Sequence, residues 1–281
     1  MNPRSTFISF VFLTLFNQQG FTLEVQASSQ AEVTASEQMS PAEKGLQIAK
    51  AIKASNVGWG DSEADMKMIL RTKNGKEIVR QMRSKQLEVE NDGDKGLTIF
   101  DTPANVKGTV FLSFSHTVDA DDQWLYLPAL KRVKRIASRN KSGPFLGSEF
   151  AFEDLSSFEV EKFTYEYLRD EEYQGLDMYV VEMRPVDKYS GYTRSQVWVD
   201  KEHKRFFKVV FYDRRDTLLK TLTIKDHRLY LDKYWRPTNQ HMVNHKSGKS
   251  TDLEFTRYQF RVGLTDGDFN EKRLELSLIH I

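Results

Sequence analysis

The sequence predicts a mostly β protein: one strongly curved antiparallel sheet with helices covering its concave face. Three observations carry that expectation. Apolar residues recur with a period of two from Asp65 onward, aromatic residues make up 12% of the chain, and the alternating runs are joined by very short turns. Asn74-Gly75, Asn91-Asp92-Gly93, Asp200-Lys201-Glu202-His203 and Lys246-Ser247-Gly248 are such turns. Links this short force antiparallel pairing, because parallel strands need long crossovers. Aromatic side chains pack well on a pleated surface.

The chain opens with Arg4 and a ten-residue apolar stretch, Phe7 to Phe16, long enough for the core of a signal peptide and too short to span a bilayer. Val25-Gln26-Ala27 offers a cleavage site, so residues 1–27 are expected to be a signal peptide cleaved near Ala27, with 28–39 a polar leader. There is no cysteine, which removes disulfides, thiol catalysis and a lipidated N-terminal cysteine. The expected destination is the periplasm, as a soluble protein that is not itself a lipoprotein.

Residues 40–275 are expected to form one domain. Ser40-Pro41-Ala42-Glu43 combines a capping residue, a proline at the first helical position and the glutamate of a capping box. Leu46, Ala49, Ile52 and Lys53 follow at helical spacing, predicting an amphipathic helix over 41–54 that ends near Asn56-Val57-Gly58. Strands are predicted over 65–72, 77–90, 97–101, 109–116, 123–127 and 131–137. A loop over 138–157, broken by Gly143-Pro144 and Gly147, interrupts the rhythm. Strands resume over 158–168, 178–185, 194–200, 206–213, 218–224, 228–234, 237–244 and 250–262. Asp266-Gly267-Asp268 marks the entry to a last helix beginning at Phe269. The final LSLIHI, Leu276 to Ile281, reads as the in-frame translation of a sequencing adapter and is set apart from the fold.

Composition and motifs narrow the chemistry. Lys and Arg total 41 against 40 for Asp and Glu, so the net charge of +1 supplies no global field for nucleic acid. No GxGxxG or GxxxxGK pattern occurs. Gly147-Ser148-Glu149 lacks the second glycine of a nucleophile elbow and lies in an all-β context. His241 and His245 would chelate a metal from a helix, but on a strand rising about 3.3 Å per residue their roots lie about 13 Å apart. No catalytic residue, metal or cofactor is expected.

Two groups of side chains stand out as a candidate site. The aromatic residues Trp124, Phe145, Phe150 and Phe152 either pack a core or cover a ligand. Within Lys131 to Ile136, period two sends Arg132 to one face and Arg135 to the other, so some cation must face inward or meet a carboxylate. Arg132 and Arg135 with Glu149 and Asp154 are thus candidates for a polar latch or a structural salt bridge.

The stretch WLYLPALKRVKRI, followed by GSEFAFEDLSS, resembles the LolA-like family of outer membrane lipoprotein-sorting proteins, in a longer branch whose genes often neighbour RND-type exporters. Similar phrasing continues in VWVDKEHKRFFKVVFYDRRDTLLKTL and YWRPTNQHMVNHKSGKSTDLEF, so that the resemblance covers residues 41–273. It implies a half-open barrel with a helical lid, an apolar cavity for acyl chains and no catalysis. It also implies a lipid or acylated lipoprotein as cargo, passed from an inner-membrane transporter of RND or ABC type to an outer membrane acceptor. A non-catalytic adaptor subunit of an RND-type exporter is the alternative; an adaptor would have a well-filled interior where a carrier keeps a pocket.

Overall fold

The computed structural model describes residues 39–274. The signal peptide and most of the leader expected over 1–39, and the tail from Glu275 onward, lie outside the described residues. One α-helix, α1 (Pro41–Ser55), opens the described chain. Its capping box is formed: Glu43 N donates to Ser40 Oγ at 3.2 Å, and Ser40 N donates to Glu43 Oε2 at 2.8 Å.

Thirteen strands follow: β1 (Asp61–Arg71), β2 (Glu77–Leu87), β3 (Lys95–Thr102), β4 (Val110–Phe114), β5 (Asp122–Leu127), β6 (Arg132–Arg135), β7 (Phe163–Tyr173), β8 (Leu176–Pro185), β9 (Tyr192–Asp200), β10 (Phe206–Asp213), β11 (Leu218–Tyr230), β12 (Tyr234–Asn244) and β13 (Ser250–Phe260). They form one open antiparallel sheet in the order β6-β5-β4-β3-β2-β1-β13-β12-β11-β10-β9-β8-β7. It is built from two meanders, β1 to β6 and β7 to β13, stitched where β1 pairs with β13 in the register Met66↔Phe255 and Met68↔Leu253. Among the described residues β6 and β7 are left as free edges, so the barrel is half open.

Two predicted elements differ. The strands expected over 218–224 and 228–234 are a single strand, β11, with an irregularity at Asp226. Asp226 takes a left-handed φ of 55°, Thr238 Oγ1 donates to its carbonyl at 2.9 Å, and pairing resumes on both sides as Lys225↔Asn239 and His227↔Pro237. The reversal to β12 comes later, at Leu231 and Asp232, both left-handed. In place of a helix from Phe269 there are two 3₁₀ turns, Asp266–Asp268 and Glu271–Arg273, between which Phe269 is buried.

The concave face is covered in two halves, and only one of the covers is α-helical. Over β7 to β10, α1 lays Ile48, Ala49 and Ile52 on Tyr165, Val181, Met183, Val197, Val199 and Val209. A Cβ at Gly45 would lie 2.9 Å from Tyr167 N, so the helix rests directly on the backbone of edge strand β7. Over the other half lies the β6–β7 connection, which contains the loop expected over 138–157 and runs as a series of 3₁₀ turns broken by Gly143-Pro144 and Gly147. β3 to β5 are apolar on their opposite face as well, where Leu97, Ile99, Leu112 and Tyr126 are covered by Phe269 and Leu274.

Candidate ligand-binding site

The β6–β7 connection is a plug. Phe145, Phe150 and Phe152 are all buried, and they join Met68, Met82, Phe100, Phe111, Leu125 and Met242 on the concave face. Phe145 meets Phe111 edge-on at 5.0 Å and Phe152 at 5.6 Å. Left-handed backbone at Leu146 and Gly147 makes the sharp turn between Phe145 and Phe150, closed by Phe145 N donating to Phe150 O at 2.7 Å.

Trp124 does not belong to this group. It lies half-buried on β5, edge-on to Phe114 at 5.1 Å, with the cluster on the opposite face of the sheet. The cause is the pleat: Leu125 points to the plug, so its neighbour Trp124 points away.

The plug is fastened by buried polar groups, among them the expected Asp154, but its cationic partner is Lys220 in place of Arg132 or Arg135. Lys220 Nζ lies 2.6 Å from Asp154 Oδ2, with the two side chains 5% and 6% exposed. The same ammonium donates to Glu149 O at 3.1 Å and lies 5.0 Å from the centre of the Tyr192 ring. Asp154 also accepts from Ala151 N at 2.6 Å and from the Tyr192 hydroxyl at 2.8 Å. Burial holds that hydroxyl well above the usual tyrosine range. Glu153 accepts from Gly191 N and Ser190 Oγ, both at 2.8 Å, and burial raises its carboxyl.

A second fastening comes from Arg80 on β2, which is 8% exposed and donates from Nη1 to Leu146 O at 2.9 Å. Its Nε is buried with no hydrogen-bond partner among the described residues, and burial lowers its pKa. A guanidinium held under a loop by one carbonyl is a fastening that a modest displacement would release.

Arg132 and Arg135 take no part in this. Arg132 is exposed on β6, and Arg135, 68% exposed, pairs with Asp122. Glu149 instead accepts from Asn244 Nδ2 at 2.7 Å. The edge position of β6 explains the difference, because a short outermost strand leaves its cations in water. The inward cations were legible at another level: Arg80 shares a face with Met82, and Lys220 with Leu222 and Ile224, so each is a charge in an apolar alternation.

Beside the plug, at the end of the sheet where α1 terminates and the β9–β10 and β11–β12 turns meet, lies a cleft of about 600 Å³. The last residues of the plug, Leu155 to Phe158, form one wall. The lining is mixed, where an apolar one was expected: Trp59, Phe206 and Trp235 stand with Lys53, Asp94, His227 and Arg236. Strand ends and turns supply it, and these carry polar residues. Arg236 donates to Asn56 Oδ1 at 2.7 Å and lies 5.6 Å from the Trp59 ring centre. Burial pushes the Asp94 carboxyl up to about 6, against the pull of Lys53, and pushes the His227 imidazole down to about 4.

His241 pairs with Asp252 and His245 Nε2 lies 2.8 Å from Thr221 Oγ1. Among the described residues no three His, Asp or Glu side chains converge as metal ligands, and no helix is long and apolar enough to cross a membrane.

A family profile described as "Uncharacterized protein" matches residues 92–276. No curated protein matches the chain. Among solved structures, an outer membrane lipoprotein-sorting protein domain from Vibrio parahaemolyticus is 59% identical, with a TM-score of 0.82 over 83% of this chain and 99% of that one. A DUF1329 family protein from Desulfovibrio piger is 26% identical, with a TM-score of 0.79 over 84% and 99% of the two chains. A LolA superfamily protein from Nitrosomonas europaea, 21% identical, shares the fold, with a TM-score of 0.64 over 80% and 97%. The half-open fold accordingly has close counterparts, and the chain belongs to the LolA-like family of outer membrane lipoprotein-sorting proteins.

Proposed function

We propose that the protein is a non-catalytic periplasmic carrier that binds a lipid, or the acyl chains of a lipoprotein, on the concave face of its sheet. One observation carries the reading. The apolar concave face is covered by a discrete phenylalanine plug held at a few buried polar points, and the plug's end forms a wall of an open cleft of about 600 Å³. That volume falls within the roughly 300–1,000 Å³ of small-ligand sites. Acyl chains entering along the cleft would take the place of Phe145, Phe150 and Phe152, each buried CH₂ contributing about 0.8 kcal/mol. The mixed cleft lining suits the polar end of an amphiphile. Breaking the Arg80 and Lys220 contacts offsets part of that gain, which keeps affinity modest enough for cargo to be passed on. A transporter in the inner membrane and an acceptor in the outer membrane are the partners this role calls for. The name of the Vibrio relative, a lipoprotein-sorting protein domain, supports it.

Mass spectrometry of lipid extracts from protein purified out of the periplasm without detergent tests the proposal. Phospholipid or acylated peptide should co-purify, and Trp235→Ala, which opens the cleft wall, should lose most of it. Protein that is empty in both forms yet binds an exporter would favour the adaptor role.

A further inference from the structure

At the end of the sheet where the cleft opens, three chain segments are tied into one corner: the β11–β12 turn, the 57–60 segment after α1, and the chain leaving β13. Lys233 Nζ and the Tyr234 hydroxyl both donate to Val57 O, at 2.9 and 3.0 Å, and Arg261 Nη2 donates to Gly58 O at 3.4 Å. The corner turns aliphatic side chains to solvent: Leu229, Leu231, Val57 and Val262 are 46%, 43%, 41% and 42% exposed. Behind them Tyr230 packs on Tyr258 at 5.4 Å and on Phe260 at 5.2 Å, which stiffens the turn from within.

The solvent-exposed charge here is mostly cationic: Arg228, Lys233, Arg257 and Arg261 are exposed, and so is Asp232. The other acids of the corner are engaged within it, Asp61 by Val262 N and Gly263 N, Glu88 by Gly58 N and Gly60 N, and Asp65 by Arg257. Exposed aliphatic residues on a stiff turn, ringed by cations and backed by tyrosines, match the interface of an anionic bilayer. The aliphatic groups leave water, the cations meet phosphate, and the aromatic rings sit at headgroup depth.

We propose that this corner docks the protein on a bilayer containing anionic lipid, with Leu229 and Leu231 entering the headgroup boundary. Lys233, Trp235 and Arg236 belong both to this corner and to the cleft lining, so docking brings the cleft mouth to the membrane. The inference goes beyond the carrier reading and stands on its own test, because a protein that carries nothing could still dock.

The test is flotation of the purified protein with phosphatidylcholine vesicles made with and without phosphatidylglycerol. Binding is expected to the anionic vesicles at low salt and to be weakened by added salt. Leu229→Asp/Leu231→Asp and, separately, Arg228→Glu/Arg261→Glu should each reduce the bound fraction about tenfold while circular dichroism shows the sheet still folded. Failure to float with anionic vesicles, equal binding to neutral ones, or binding that survives both double substitutions would overturn the proposal. So would an acidic protein partner captured by this corner in a protein that ignores vesicles.

Discussion

Asp154→Asn is expected to lower the stability of the protein by about 3–5 kcal/mol, because it leaves the Lys220 ammonium buried without its counter-charge. The substitution is nearly isosteric. An amide can still accept from Ala151 N through its oxygen and donate to the Tyr192 hydroxyl, so the lost term is the charge pair and not the packing. The wild-type pair is almost wholly buried, which removes the solvent screening that makes surface pairs weak. Asp154→Asn/Lys220→Met should recover most of the loss, since an apolar side chain beside the Phe211 and Tyr192 rings carries no desolvation cost. Denaturant unfolding of the two variants, with hydrogen exchange across 143–157, is the measurement. A single substitution costing under about 1 kcal/mol, or a double one no better than the single, would show that Lys220 finds compensation elsewhere.

The second large effect concerns Asp94 on the cleft wall. Its carboxyl titrates at about 6 in the folded protein against an ordinary 3.8, so the folded state holds its proton more tightly than the unfolded state does. Stability from this group is therefore lost as pH rises from about 4 to about 6, with an integrated cost of about 3 kcal/mol above that window. Asp94→Asn removes the cost: a gain of about 2–3 kcal/mol is expected at pH 7 and almost none at pH 4. His227 has the opposite sign, because an imidazole pushed down to about 4 loses stability as pH falls from 6.5 toward 4. In the wild type the two slopes oppose each other across this window. In the Asp94→Asn variant the histidine slope stands alone, so stability should rise with pH between 4 and 6. Unfolding midpoints measured across that range decide the matter; a variant that tracks the wild type at every pH would remove Asp94 from the account.

The strands were legible because period two and short turns are local signals. β10 and the α1 capping box needed nothing from distant parts of the chain. Asp226 misled because an acidic residue in left-handed backbone has the same local appearance inside a strand as in a hairpin turn. Phe145, Phe150 and Phe152 could be grouped from one loop, whereas the partner of Asp154 lies 66 residues away on a strand whose register only the assembled sheet determines. Trp124 failed for a related reason: alternation says that it and Leu125 oppose each other, but not which of the two faces meets the plug. The cleft was invisible because its walls come from turns at the ends of many strands, none of which carries a motif.

A sheet that stops short of closing leaves two rows of backbone donors and acceptors able to recruit another chain, a polymerisation hazard for any protein kept at high concentration. The two margins are guarded differently. At β7 the guard is steric: with no Cβ at Gly45, α1 comes down close to the Glu166 and Tyr167 nitrogens and crowds the approach to that margin. At β6 it is electrostatic: Arg132, Lys134 and Arg135 crowd a four-residue strand, so a second copy approaching edge to edge would bring like charges together. An open sheet with both margins crowded, one by a helix and one by charge, is thereby disfavoured from stacking edge to edge into fibres.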